Sequence, residues 1–167
     1  MANDWALRRA DKAITDLDTL KEIVDKAPVL RLGMVDEGEP YVVPVNFARD
    51  GDDVWVHSAQ SGRKLECLRR NPSVCVEVDE LRGIERGSDT DPCTGWTSRY
   101  VSVIAFGTAE IVDDRREKLR GLGRIMRKYS GRDDWEFSEE QVDETAVIRI
   151  RLSAMTGKRS PAAHRSS

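Results

Sequence analysis

The chain has 167 residues, 39% of them hydrophobic, which suits one packed domain on the prior of ~100–200 residues per domain. Lys and Arg number 27 against 30 Asp and Glu, for a net charge of -3, so the basic footprint of a nucleic-acid binder is missing. No apolar run approaches the ~20 residues of a membrane span, and the opening MANDWALRRADKA has no apolar stretch behind its charges, so a cytoplasmic protein is expected.

Thr15 and Asp18 form a T-x-x-D cap around Leu17, Leu20 and Val24, which predicts a helix that Pro28 ends. VLRLGMVD (29–36), YVVPVNFA (41–48) and VWVHSA (54–59) read as strands. The turns Glu37-Gly38 and Asp50-Gly51-Asp52 between them predict an antiparallel meander. SGRKLECLRRNP predicts a short helix closed by Pro72, and SVCVEVD (73–79) a strand with Val74, Val76 and Val78 on one face. Residues 81–99 show no period and read as a long loop.

Tyr100 to Val112 is a long strand. Asp113-Asp114 then opens a helix to about Tyr129, with Leu119, Leu122, Ile125 and Met126 as its apolar stripe. Acids at its start, Arg127-Lys128 at its end and Gly131 as its stop all agree. Ala146 to Ser153 is a last strand, and GKRSPAAHRSS predicts a fraying end. Six strands with interspersed helices make the class α+β, mainly β, an antiparallel barrel with peripheral helices. One domain is expected over 1–155, with a polar tail over 156–167.

Cys67, Cys75 and Cys93 form no C-x-x-C, and only two histidines are present. Reduced thiols and no metal site are expected. The densest cluster of unusual residues is PVNFARDGDDVWVHSAQSGRK (44–64). Alternation puts Val54 and Val56 on one face of its strand and Trp55 and His57 on the other. Behind His57-Ser58-Ala59, Ser61-Gly62-Arg63-Lys64 starts a helix. Unpaired N–H groups, the positive end of the dipole, the Ser58 hydroxyl and the charges of Arg63 and Lys64 together suit a phosphate. A solvated helix end is the plain alternative. Trp96 either covers this site or packs on its own domain, and Arg31 faces the surface or the site.

From Arg8 to Gly131 the chain resembles the nitroimidazole-resistance (NimA-like) branch of the pyridoxamine 5'-phosphate oxidase-related flavoproteins. The matching blocks are RRADKAIT (8–15), EGEPYVVPVNF (37–47), VWVHSAQSGRK (54–64), LRRNPSVCVEV (68–78), RYVSVIAFGTAEIVDD (99–114) and EKLRGLGRIMRKYSG (117–131), with MTGK (155–158) beyond them. The resemblance implies an FMN-binding split β-barrel that works as a homodimer, with flavin at the subunit interface. It implies that Lys64, with Arg63 and Ser58, holds the FMN phosphate, and that Pro44, Val45, Asn46 and Phe47 run along the isoalloxazine ring. His57, Ser58 and Ala59 then line the cofactor, and Tyr100 and Ser102 lie where the second subunit approaches. His57 is the candidate catalytic group, a proton donor or else a structural hydrogen-bonding residue. The implied function is an oxidoreductase passing electrons from NADH or NADPH through FMN to a small-molecule acceptor such as a nitroaromatic. A non-catalytic flavin protein for storage, sensing or electron transfer is the alternative, as is a pocket for haem or a deazaflavin.

Overall fold

The computed structural model describes residues 8–87 and 96–160; Cys93, the middle of the expected 81–99 loop and most of the expected tail lie outside them. A 3₁₀ turn, Ala10–Lys12, leads into β1 (Ala13–Ile14), α1 (Leu17–Lys26), β2 (Leu30–Asp36) and β3 (Glu39–Val45). Next come β4 (Phe47–Asp50), β5 (Asp53–Ala59), α2 (Arg63–Arg70), β6 (Ser73–Glu85) and β7 (Thr97–Val112). α3 (Arg115–Ser130), α4 (Glu139–Asp143) and β8 (Thr145–Arg159) complete the described chain. The class is α+β and mainly β, with antiparallel strands. No helix among the described residues is long and apolar enough to cross a membrane.

Local chemistry explains most element ends. Asp16, not Thr15, caps α1, its carboxylate accepting from the Thr19 N–H at 2.7 Å. Ala27 leaves the helix in an extended conformation ahead of Pro28, as the proline ring demands. Glu37 and Gly38 both have positive φ, 52° and 94°, which a two-residue hairpin turn requires. Asp114 caps α3 through the Glu117 N–H, and Gly131 closes it in the left-handed region at φ 73°. α4 carries a Ser138–Gln141 capping box, an S-x-x-Q signal that the periodicity argument passes over.

Four expectations about the strands are corrected. The strand expected over 41–48 is two strands, broken at Asn46. The expected meander is not formed either, because β2–β3 and β4–β5 are separate antiparallel hairpins at opposite ends of the sheet order β3-β2-β6-β7-β8-β5-β4. Among the described residues that path is not closed. The expected loop over 81–99 is partly strand, since β6 runs on to Glu85 and β7 starts at Thr97. β8 likewise passes Ser153 and reaches Arg159, where Ala13 and Ile14 pair with Lys158 and Gly157. Long two-stranded extensions have hydrogen-bond partners to favour them even where side-chain alternation is weak.

The chain divides into two compact units. One comprises Pro28–Glu77 and Ala105–Ala154; the other takes its described residues from Met1–Ala27, Val78–Ile104 and Met155–Ser167. The first has a core of Ala48, Trp55, Val112, Leu122, Ile125, Val142 and Val147, with Leu119 and Phe137 packed against it. Burial of each large side chain there stabilises by about 1.5–3 kcal/mol. β5 contributes from both faces: Val54, Trp55 and Val56 are all fully buried, so alternation alone does not describe this strand. α3 packs close over Trp55 because Gly121 has no Cβ; one built there falls 2.5 Å from the indole Cε3. In the second unit Ile14, Leu20, Val24, Val101 and Val103 are buried.

Candidate functional site

The break at Asn46 follows from strand pairing. Phe47 pairs with Val56, so β4 accompanies β5 only as far back as Val56. Val45, one residue before the break, pairs with Leu30 of β2 instead. From Asn46 the backbone therefore leaves two strand edges. Pro44 and Val45 are paired through β2 alone, and His57, Ser58 and Ala59 through β8 alone, opposite Val147, Ala146 and Thr145. Such edges offer N–H and C=O groups to a flat polar ligand. Pro44, Asn46, His57 and Ala59 are exposed, Ser58 is half-buried, and Val45 and Phe47 are buried.

Directly after β5, Gly62 opens α2 with φ 126° and ψ 164° and no side-chain cap. That backbone conformation belongs almost wholly to glycine. A Cβ built on Gly62 meets nothing within 4 Å, so the space beside Gly62 itself is open. Lys64 follows in the first turn, half-buried, and has no hydrogen bond or ion pair within the described residues. Lost hydration pulls its pKa below the ordinary lysine value. His57 reaches solvent, yet enough protein surrounds it that desolvation lowers its pKa, and the Lys64 ammonium lowers it further. The fold thus brings His57 and Lys64 into electrostatic contact, two groups whose protonated forms both favour an anion.

Arg63 points elsewhere. Its Nε donates to the Asp36 carboxylate at 2.6 Å, its guanidinium stands 4.4 Å from the Tyr41 ring centroid, and Arg70 shares the same carboxylate. The hydrogen bond from Arg63 is the main cause that holds the Asp36 pKa down. Arg31 also has an acidic partner, Glu77 at 2.9 Å. Tyr100 and Ser102 lie in the other compact unit from residues 44–64, on the outward face of β7, where Val101 and Val103 are the buried neighbours. There the Tyr100 N–H donates to the Ser160 hydroxyl at 3.1 Å. Trp96 is 45% exposed, with the Arg86 guanidinium 6.0 Å from its ring. Burial raises the pKa of Cys67 and of Cys75, so both stay thiols. No group of metal ligands occurs among the described residues.

Sequence reasoning passes over Asp36 and Tyr129. The Tyr129 hydroxyl accepts from the Phe47 N–H at 3.0 Å and donates to the Pro28 carbonyl at 2.8 Å. Neither contact has a local signal, being 82 and 101 residues apart in the chain.

Residues 16–159 match the family model described as pyridoxamine 5'-phosphate oxidase. A candidate 5-nitroimidazole antibiotic resistance protein from Bacteroides thetaiotaomicron VPI-5482 is 32% identical, with a TM-score of 0.77 over 87% of this chain and 85% of that one. The flavocytochrome Anf3 from Azotobacter vinelandii shares the fold, at TM-score 0.79 and 24% identity over 94% of this chain and 73% of that one. So does the FAD and heme binding protein from Mycobacterium smegmatis, at TM-score 0.76 and 21% identity over 93% and 77%. An uncharacterised protein, RA0666 of Rhizobium meliloti (strain 1021), is 29% identical over 59 residues, 35% of this chain. That match spans 38% of the length of RA0666. With the family pattern running from the start of α1 to the end of β8, the chain belongs to the pyridoxamine 5'-phosphate oxidase family, in its nitroimidazole-resistance-like branch.

Proposed function

We propose that the chain is an FMN-dependent oxidoreductase that passes electrons from NADH or NADPH to a small-molecule acceptor such as a nitroaromatic. One observation carries this reading: a half-buried Lys64 ammonium without an acidic partner, set in the first turn of an uncapped helix behind Gly62. A partly desolvated cation with no counter-charge is disfavoured, and a phosphate monoester supplies the missing charge together with acceptors for the α2 N–H groups. The donor set therefore fits the phosphate end of FMN. Arg63 is held by Asp36, so Lys64, the helix amides and Ser58 carry the phosphate in this reading, with Arg63 as a neighbouring charge.

Bound FMN supplies hydride and single-electron transfer, which no side chain of this protein provides. The strand edges at Pro44, Val45, Asn46 and Phe47, and at His57, Ser58 and Ala59, orient the ring through backbone groups. His57 is neutral at pH 7, since its pKa is lowered from an already acidic 6.5. It accepts or donates a hydrogen bond there, and an anion that offsets the Lys64 charge raises its pKa. Tyr100 and Ser102 are assigned to the flavin site of a second subunit, in a homodimer.

Purified protein titrated with FMN tests the reading by quenching of flavin fluorescence. Lys64→Met should weaken FMN binding by about 10- to 100-fold, the loss of one charge-assisted contact of ~1.5–3 kcal/mol. Equal affinity in the two proteins would remove Lys64 from the site. Loaded protein that binds FMN but oxidises neither NADH nor NADPH with any nitroaromatic or quinone would support the storage or electron-transfer role instead.

A further inference from the structure

The strip from Pro44 to Phe47 is interrupted at Asn46, where a ladder no longer fixes the backbone on both sides. Something else must set its direction. Phe47 is fully buried, and its N–H donates to the Tyr129 hydroxyl at 3.0 Å. That hydroxyl, in the last turn of α3, donates in turn to the carbonyl of Pro28 at the head of β2 at 2.8 Å. Both capacities of the phenol are thus used, one by each side of the split. The neighbouring Lys128 Nζ lies 3.3 Å from the Phe47 ring centroid. α3 therefore holds Phe47 by its backbone and by its ring.

The consequence comes from peptide geometry. The Asn46–Phe47 bond is trans, as no cis bond occurs among the described residues, and the unit is planar with N–H and C=O on opposite sides. Fixing the Phe47 N–H on Tyr129 directs the Asn46 carbonyl away from α3. We propose that Tyr129 is a positioning residue, whose hydroxyl aims the Asn46 carbonyl as an acceptor for an N–H on the polar edge of the bound ring. This rests on the FMN reading and deepens it, separating a ring end governed by Tyr129 from a phosphate end governed by Lys64. Burial raises the Tyr129 pKa above 10, partly offset by the Phe47 N–H, so the hydroxyl keeps its proton at neutral pH.

Tyr129→Phe tests it, because the ring stays and only the bridging oxygen is removed. FMN and riboflavin, which lacks the phosphate, are titrated into the full chain, Y129F and K64M. Y129F should weaken both ligands by about tenfold, as expected for one lost hydrogen bond, and shift the visible band of bound FMN. K64M should weaken FMN alone. The Phe47 amide of the unmodified protein, followed by hydrogen exchange without ligand, should be protected. Unchanged affinity and spectrum in Y129F, or a loss confined to FMN, would overturn the positioning role while leaving the FMN reading in place. A fast-exchanging Phe47 amide in the unmodified protein overturns it whether or not Y129F folds. If the unmodified chain takes up neither ligand, the FMN reading fails and this proposal fails with it.

Discussion

In the proposed site Lys64 and His57 are the two groups that interact electrostatically. Both are half-enclosed, and the charge of one lowers the pKa of the other. Replacing Lys64 by Met should therefore raise the His57 pKa toward its ordinary ~6.5, which NMR titration of the imidazole resonances reads directly. An unmoved His57 pKa would show that the two groups do not interact. The sign for stability follows from the same shift. His57 is depressed in the folded state, so between that value and ~6.5 the unfolded chain binds more protons, and stability rises with pH across the window. Urea unfolding at a series of pH values should show this rise in the unmodified protein and a flatter profile in K64M. The S-G-R-K signal was legible because the helix start is local. Arg63 was not so simple, since Asp36, 27 residues earlier, captures its guanidinium.

α3 and β5 show what elements require of single positions. Gly121 in mid-helix sacrifices about 0.8–1.0 kcal/mol of helix propensity relative to Ala, yet Gly121→Ala should destabilise. The added Cβ would lie 2.5 Å from Trp55 Cε3 and 2.9 Å from Val147 Cγ1. The indole is fully buried and cannot yield, so overpacking of about 1–3 kcal/mol outweighs the propensity gain. A lower urea midpoint is the expected result; a higher one would mean α3 can lift off β5 without cost. Helix ends at Pro28 and Gly131 were legible, because a ring or a left-handed residue acts within one turn. The break at Asn46 was not, because YVVPVNFA is uninterrupted as a pattern and only the choice of partner strands divides it.

Across the molecule, the unit containing Tyr100 and Ser102 also exposes Leu81, Ile84, Trp96 and Ile104, each by 40% or more. Exposed apolar side chains on and beside β6 and β7 suit burial against another chain, which supports the proposed homodimer. Sedimentation of the FMN-loaded protein should give about twice the 18.8 kDa chain mass; a monomer at micromolar concentration would count against it. By itself the sequence determined what acts over a few residues: hairpin turns, helix starts and stops, apolar faces, and the start of a helix after HSA. Only the tertiary structure decided which strands pair, where the sheet splits, that Asp36 takes Arg63 and that Tyr129 clasps Phe47. Those outcomes depend on register and contact between segments tens of residues apart, where many pairings satisfy the same local pattern and the packed whole selects one.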